Sequence, residues 1–196
     1  MMWRSCCGRR YTWEVMNVLM NNVLIMRRIL LLSAILLFGL VACSDTSRTT
    51  DEGVVIEGIR WATRNVNRPG TFAKNPESMG RLFTWEAAQD TCPRGWRVPT
   101  YEELIALHST DKEWTTRNGV NGLIFGTAPY QIFLPAAGWQ KFARQIFDVD
   151  VHGQYWSSMR FDAVEAMRLW FNINSGFSHV SQNWDWHKSS VRCVAK

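Results

Sequence analysis

Hydrophobic and polar residues divide the 196-residue chain into three regions. Residues 29–42 form a run of fourteen residues without a charge, and residues 44–53 are small or polar. From residue 54 onward, short apolar segments alternate with polar stretches that contain glycine, proline and asparagine. This pattern predicts a leader, a flexible tether and one folded domain, because about 150 residues fit a single hydrophobic core.

The predicted domain opens with one strand and one helix. Residues 54–61 are rich in β-branched and apolar side chains, which predicts the strand. The helix is predicted to start at Thr84, whose hydroxyl can cap it, with Trp85, Ala88 and Cys92 on one face. The proline that follows Cys92 ends the helix.

A second helix and a strand-rich second half follow. Thr100 and Glu103 form a capping box at the start of this helix. Its apolar stripe contains Leu104, Leu107 and His108. Asn-Gly pairs at residues 118–119 and 121–122 predict turns. Further strands are predicted at residues 132–134, 146–151, 166–173 and 191–195. The predicted fold class is therefore α+β, with two short helices.

The apolar run predicts a signal peptide of the bacterial lipoprotein type. Arg27 and Arg28 precede it, and as a helix it would span about 21 Å, short of the roughly 30 Å hydrocarbon core. Small residues stand directly before Cys43, which resembles the lipobox whose cysteine receives a diacylglyceryl group. We therefore predict a signal peptide at residues 26–42 and lipidation of Cys43. An ordinary secretory signal peptide is the alternative.

The residues on either side of the signal peptide predict an anchored protein. Residues 1–25 precede a signal peptide that is complete from Met26, so we predict that they are a non-native upstream extension. Residues 43–52 comprise the lipidated cysteine and a flexible tether. The predicted location is the cell envelope, at the outer membrane or cell surface, with the membrane as a partner through the lipid. Ser44 follows the cysteine in place of aspartate, which leaves the leaflet open.

The distribution of charge argues against one class of partner. The chain carries 22 basic and 17 acidic side chains, but five of these basic residues and one acid lie in residues 1–43. Residues 44–196 keep 17 basic and 16 acidic side chains, so this part is nearly neutral. Nucleic-acid binding requires a basic surface, and no cluster of lysine and arginine supplies one. We predict no nucleic-acid partner.

Cys92 and Cys193 are the two cysteines that follow the predicted lipidation site. Export permits their oxidation, and they are about 100 residues apart. Closing a loop of that length gives a disulfide roughly 4.7 kcal/mol of stabilisation through chain entropy. We therefore predict a bond between them that ties the first helix to the last strand.

Six segments of the domain resemble the successive motifs of the Fibrobacter succinogenes major paralogous domain. These segments are residues 59–66, 82–88, 92–100, 134–138, 153–158 and 190–194. The resemblance covers residues 53–196 and implies a C-type-lectin-like fold, related to the branch of the formylglycine-generating enzymes, with twisted antiparallel strands and long loops. It also implies a surface lipoprotein or adhesin-like setting of the Bacteroidota type, and the same cysteine pairing.

Two chemistries of this wider fold find little support in the residues. Calcium-dependent sugar binding in C-type lectins uses a Glu-Pro-Asn-like and a Trp-Asn-Asp-like triplet. The first is absent here, and residues 183–185 contain the residues of the second in a different order, Asn-Trp-Asp. Formylglycine generation needs reactive cysteines, whereas Cys92 and Cys193 are assigned to a structural bond. No zinc-protease, P-loop or nucleophile-elbow motif occurs. We predict no enzymatic activity, no metal and no cofactor.

Asp148, Asp150 and His152 alternate within a predicted strand. On a strand they would share one face, where they could bind a cation or simply face solvent. We expect the solvated face. His179 and His187 lack a regular zinc spacing.

Residues 181–188 are predicted to be a loop between two strands, and they invite a binding hypothesis. Asn183, Trp184, Asp185 and Trp186 combine two rings with an amide and a carboxylate, a composition suited to the C–H faces and hydroxyls of sugars. The alternative is that both rings close the core. Four other tryptophans lie inside family motifs and are assigned to the core: Trp61, Trp85, Trp96 and Trp156.

The sequence as a whole predicts a non-enzymatic, membrane-tethered surface lipoprotein with one binding or adhesion domain. Its partner would be a glycan or a surface protein. The alternatives are a structural subunit of a surface or fimbrial assembly, or a degenerate relative of an enzyme fold.

Overall fold

The computed structural model describes residues 50–141 and 145–196, which belong to one compact unit, Arg48–Lys196. The predicted extension (1–25), signal peptide (26–42), lipidated Cys43 and most of the tether lie outside the described residues. Among the residues described, no helix is long and apolar enough to cross a membrane.

Residues 50–108 contain two helices and five short strands. The strands are β1 (Val54–Ile56), β2 (Ile59–Trp61), β3 (Val66–Arg68), β4 (Thr71–Phe72) and β5 (Trp96–Arg97). The helices are α1 (Trp85–Ala88) and α2 (Tyr101–His108). Thr84 caps α1, and the Thr100 and Glu103 capping box is formed at α2, as predicted. α1 ends earlier than predicted, because Thr91 donates its N–H and its hydroxyl to the Ala88 carbonyl, so Cys92 lies beyond the helix.

The predicted single strand over residues 54–61 is a hairpin. β1 and β2 pair antiparallel around Glu57 and Gly58, which have φ angles of 49° and 75°. Two central residues with positive φ produce the tight turn whose twist matches that of paired strands. β2 also pairs with the last strand, β14 (Val194–Ala195), in a four-stranded sheet of order β1-β2-β14-β5. The two ends of the described chain therefore meet in one sheet.

The second half consists of antiparallel strands. They are β6 (Lys112–Arg117), β7 (Val120–Thr127), β8 (Tyr130–Pro135), β9 (Trp139–Gln140), β10 (Ile146–Phe147), β11 (His152–Arg160), β12 (Glu165–Asn172) and β13 (Phe177–Trp184). They form the sheets β6-β7-β8, β9-β10 and β11-β12-β13. The described part of the chain is mostly β with two short helices and antiparallel sheets, so the predicted α+β class is confirmed.

Two turn and strand predictions in this half differ from the structure. Residues 118–119 form the β6–β7 turn, but Asn121 and Gly122 lie within β7, opposite Thr116 and Thr115. The predicted strand at residues 191–195 is confined to Val194–Ala195.

The predicted strand over residues 146–151 stops at Phe147. Asp148 and Asp150 have φ angles of 56° and 62°, so they lie in a turn and do not share a strand face with His152. Their carboxylates organise this turn, because Asp148 accepts from the Trp139 indole at 3.0 Å and Asp150 from the Asn121 backbone at 3.2 Å. Within the described ranges, no group of three potential ligands is placed to hold a metal ion.

Two hydrophobic clusters form the core. The larger packs α2 between two sheets and includes Trp61, Leu104, Phe125 and Phe171, all buried. The smaller surrounds Trp156 and Cys193. Trp61 and Trp156 are fully buried, as predicted. Trp85 and Trp96 are only partly buried, at the border of the smaller cluster.

Cys92 and Cys193 form a disulfide, as predicted. Cys193 is fully buried and directly precedes β14, and its carbonyl accepts a hydrogen bond from Ala62 at 2.9 Å. Because 101 positions separate the two cysteines, this bond closes most of the domain into one loop.

Arg192, next to Cys193, is the centre of a buried polar network that the sequence did not predict. Its guanidinium donates to Asn65 Oδ1 at 3.0 Å, the Ala62 carbonyl at 3.1 Å and the Phe133 carbonyl at 2.9 Å. Burial lowers the pKa of Arg192 to about 10. These bonds join the last segment of the chain to β8 and to the segment after β2.

Candidate ligand-binding site

The predicted loop over residues 181–188 is divided between a strand and a turn. β13 continues to Trp184, with Asn183 and Trp184 opposite Ala166 and Glu165 of β12. Successive side chains on a strand point to opposite faces of its sheet. Asn183 and Trp184 therefore cannot line one common site, which corrects the sequence prediction.

Trp184 and Trp186 are both exposed. Their relative exposures are 45% and 43%, so the alternative that these rings close the core is wrong. Trp184 lies on the same sheet face as Met167 and Gln182, which are paired with each other two residues along the strands. Trp186 lies in the turn after the strand, with its ring centroid 4.3 Å from that of His187. The two tryptophans thus occupy different surroundings.

Asp185 takes part in a structural contact. Its carboxylate forms an ion pair with Arg160, whose Nη2 lies 3.0 Å from Asp185 Oδ2. The Arg160 guanidinium carbon also lies 4.6 Å from the centroid of the Trp85 ring. The Asp185 carbonyl also accepts from the first N–H of α1 at 2.8 Å. This residue holds the turn against α1, and its carboxylate is already engaged.

One face of the β11-β12-β13 sheet is polar, and we call it the polar face. By strand register, it carries His152, Gln154, Arg168, Trp170, Ser181 and Asn183. Trp156 and Ala166 lie on the same face, where they are buried in the smaller core cluster. The opposite face buries Tyr155, Leu169, Phe171 and Val180 in the larger core cluster. This division follows from the alternation of side chains in the three strands.

Hydrogen bonds fix three side chains on or beside the polar face. Asn183 donates through Nδ2 to Gln154 Oε1 at 3.3 Å, so its own Oδ1 faces His187 Nδ1 at 3.2 Å. Because an amide oxygen only accepts, His187 carries its proton on Nδ1 when neutral. Its Nε2 is then an acceptor, and this buried atom has no hydrogen-bond partner among the described residues.

Arg168 is the charged group of the polar face. Its Nε and Nη1 are buried without a hydrogen-bond partner in the described part of the chain. The guanidinium lies 5.8 Å from the centroid of the Trp170 ring. Burial lowers the pKa of Arg168 to about 10, which still leaves it charged at neutral pH.

The pKa values of the two histidines near Arg168 are lowered, which favours their neutral form. Burial lowers the pKa of His187, and the charges of Lys141 and Arg168 lower it further. Burial and Arg168 also lower the pKa of His152, against the opposing effect of Asp148, whose Oδ2 is 3.7 Å from His152 Nδ1. The local field is therefore positive, with Asp148 as its counter-charge.

Aromatic rings border the polar face, and we call Trp139, Phe147 and Trp186 the aromatic rim. Trp139 stacks on Phe147 with centroids 5.0 Å apart and lies 5.2 Å from the His187 ring. Main-chain hydrogen bonds between Gln140 and Lys188, at 2.8 and 3.1 Å, hold the β9–β10 hairpin beside the turn that carries Trp186. His187 thus joins the rim to the polar face.

A pairing of serine and histidine elsewhere does not form a catalytic pair. His108 Nε2 lies 3.0 Å from Ser178 Oγ but also 2.9 Å from the Ser178 carbonyl. A carbonyl only accepts, so Nε2 carries the proton and cannot take one from the hydroxyl.

Of the four predicted site residues, the structure places Asn183 on the polar face and Trp186 at its rim. It places Trp184 on the opposite face and Asp185 in an ion pair. Sequence reasoning missed Trp139, Gln154 and Trp170, whose proximity depends on strand pairing. It considered His152 only together with Asp148 and Asp150. One signal was present for Arg168, which is a charged residue inside a predicted apolar strand.

Comparisons of the chain with protein-family models, with curated proteins and with solved structures gave no match.

Proposed function

We propose that the chain is a lipid-anchored protein of the cell envelope whose domain binds glycan without catalysing a reaction. The observation that carries this proposal is the exposed Trp186 ring, packed against His187 at the border of a polar sheet face. Loops and turns on a rigid scaffold often carry ligand contacts. Sugars stack their C–H faces on such rings and direct hydroxyls to planar polar groups.

The family assignment is part of the same proposal. We propose a C-type-lectin-like fold of the Fibrobacter succinogenes major paralogous domain type for residues 53–196. The six sequence motifs support it, as do the two short helices and the bond from Cys92 to Cys193 beside the last strand. Fold alone does not identify a ligand, so the binding proposal depends on the site.

The anchoring half of the proposal comes from the sequence. The apolar run that ends at Cys43 supports lipidation there, and residues 44–52 would act as the tether. A tether of this length allows the domain to present its polar face away from the membrane surface.

The polar face and rim supply complementary contacts for a sugar. Trp186 and Trp139 offer ring surface, and His187 Nε2, buried beside them, is an acceptor without a partner in the described part of the chain. Asn183 acts indirectly, because its amide is committed to Gln154 and His187 and fixes the orientation of the imidazole. Such pre-positioning lowers the entropy lost on binding.

A structural subunit of a surface assembly is the second candidate. Exposed apolar side chains favour it at the β11–β12 connection, where Phe161 and Val164 are 54% and 47% exposed. Trp184 is also exposed, and its partner across the β12–β13 pair is Glu165, which directly follows Val164. This apolar surface lies apart from the polar face and suits a protein contact.

Trp186→Ala and Trp184→Ala separate the two candidates, because the rings are almost equally exposed but differently placed. Full-length protein in detergent micelles is applied to a glycan array. Glycan retention should fall at least about tenfold in Trp186→Ala and stay unchanged in Trp184→Ala. Both variants should melt within about 2 °C of the parent, because neither ring fills the core.

Two results contradict the glycan proposal. One is a parent protein that retains no glycan on the array. The other is equal retention by the parent and Trp186→Ala. If only Trp184→Ala changes behaviour, by losing self-association or a crosslinked envelope protein, the structural subunit becomes the better account.

A further inference from the structure

We propose that the polar face selects sugars that carry a carboxylate, with Arg168 as the residue that binds the anionic group. This deepens the proposed function and depends on it for the sugar part of the ligand. The carboxylate preference itself is argued from the surroundings of Arg168.

Arg168 has donors that no residue in the described part of the chain uses. Neither a hydrogen bond nor an ion pair joins its guanidinium to any residue in the described ranges, and Nε and Nη1 are buried unpartnered. Guanidinium groups in protein interiors are normally paired, because an unpaired one loses hydration without compensation. The side chain is only partly buried, so part of it lies at the surface. An acidic group that binds the surface part of the guanidinium therefore displaces no partner among the described residues, and it reaches Nε and Nη1 only when the side chains that cover them move.

The neighbours of Arg168 also favour an anion. Lys141 adds a second positive charge near His187, and both histidines lie close enough to Arg168 for its charge to affect them. The acid beside His152 is Asp148, which is engaged with the Trp139 indole at 3.0 Å. An incoming carboxylate therefore meets more positive than negative charge.

The remaining unpaired groups specify more than a simple anion. His187 Nε2 is an acceptor, so it cannot bind a carboxylate oxygen while the ring is neutral, but it can accept a hydroxyl hydrogen. The Trp170 ring lies beside Arg168, and the Trp186 ring lies beside His187. A molecule with a carboxylate, a hydroxyl and an apolar C–H face satisfies all of them. Uronic acids and related sugar acids have this chemistry.

Arg168→Gln tests the inference, with Arg81→Gln as the matched control. Arg81 is exposed, and no hydrogen bond or ion pair joins its side chain to a described residue, so its substitution removes the same charge from outside the polar face. Full-length protein in micelles is titrated with sodium D-glucuronate and, separately, with D-glucose at the same ionic strength. NMR follows the Trp170 and Trp139 indole N–H signals and the His187 ring.

Glucuronate should move these signals in the parent and in Arg81→Gln, with an affinity at least about tenfold above that of glucose. Arg168→Gln should lose that preference while melting at or above the parent temperature, because an unpaired buried charge is removed. If Arg168→Gln unfolds, Arg168→Lys replaces it, and this variant should weaken glucuronate binding since it keeps the charge but not the planar fork.

The outcomes separate this inference from the proposed function. Equal responses to glucuronate and glucose, both lost in Trp186→Ala, would overturn the carboxylate preference and leave glycan binding in place. Glucuronate binding that survives in Arg168→Gln would also overturn it. If neither sugar moves a signal of the polar face, both proposals are contradicted.

Discussion

Arg192 gives the sharpest prediction about stability. Arg192→Met keeps a long side chain but removes the three donors that satisfy Asn65 Oδ1 and the carbonyls of Ala62 and Phe133. Arg192 is 1% exposed, so water cannot replace them without opening the core. The variant should therefore fold less stably while retaining the same topology.

The expected magnitude follows from the three acceptors. Each buried acceptor left without a donor costs about 1–3 kcal/mol. Part of this is offset, because the variant no longer buries a guanidinium charge. We expect a net loss of about 4 kcal/mol, a large fraction of the stability of a single domain. For a domain of this size the melting temperature should fall by about 10–15 °C.

Urea unfolding followed by tryptophan fluorescence measures this loss. Arg81→Met is the control, because Arg81 is exposed and its substitution should change stability by less than about 0.5 kcal/mol. An Arg192→Met variant within about 1 kcal/mol of the parent would refute the reasoning that the network organises the core.

Two further predictions concern the disulfide and pH. Replacing Cys92 and Cys193 together by alanine should lower the free energy of unfolding by about 4–5 kcal/mol, because the bond closes a long loop in the unfolded chain. Stability should also fall as pH drops below 6.5, the ordinary pKa of histidine, since the lowered pKa values of His152 and His187 make the unfolded chain bind more protons. His152→Gln combined with His187→Gln should flatten this dependence.

Both are checked by urea titrations. For the disulfide, parent and double variant are compared under oxidising conditions, and an unchanged midpoint would contradict the prediction. For pH, the stability of the parent is compared between pH 7.5 and about pH 5. The pKa of Glu103 lies below its ordinary value of 4.5, so this carboxyl changes stability mainly at lower pH. Constant stability across this interval would contradict the histidine assignment.

Local signals predicted much of the fold. The capping box of Thr100 and Glu103 marks the start of α2, since it uses residues three positions apart. The disulfide was predicted because export and cysteine count leave few alternatives. The hairpin at Glu57 was missed, since glutamate rarely adopts its φ of 49° and the flanking residues form one apolar run. The Asn121-Gly122 pair was wrongly predicted to form a turn. It lies within β7, because strand pairing overrides the turn preference of these two residues.

The set of residues that meet at the candidate site depends on strand pairings that the sequence does not reveal. Trp186 is exposed and Trp61 is buried. The difference follows from their positions in the fold, because the residue type is the same. Arg168 lies over the Trp170 ring, and the register of β11 and β12 places Gln154 opposite Trp170. Asp185 was predicted as a ligand contact, but Arg160 reaches it across the turn. Such distant contacts carry no local sequence signal.

The central claim is that sugar binds at the polar face and its aromatic rim. NMR mapping of the tryptophan indole N–H signals tests it most directly, using full-length protein and the glycan that the array retains most strongly. The account predicts shifts at Trp186, Trp139 and Trp170, with Trp184 unchanged, because Trp184 lies on the other side of the sheet. Shifts confined to Trp184, or no shift with any glycan, would contradict it.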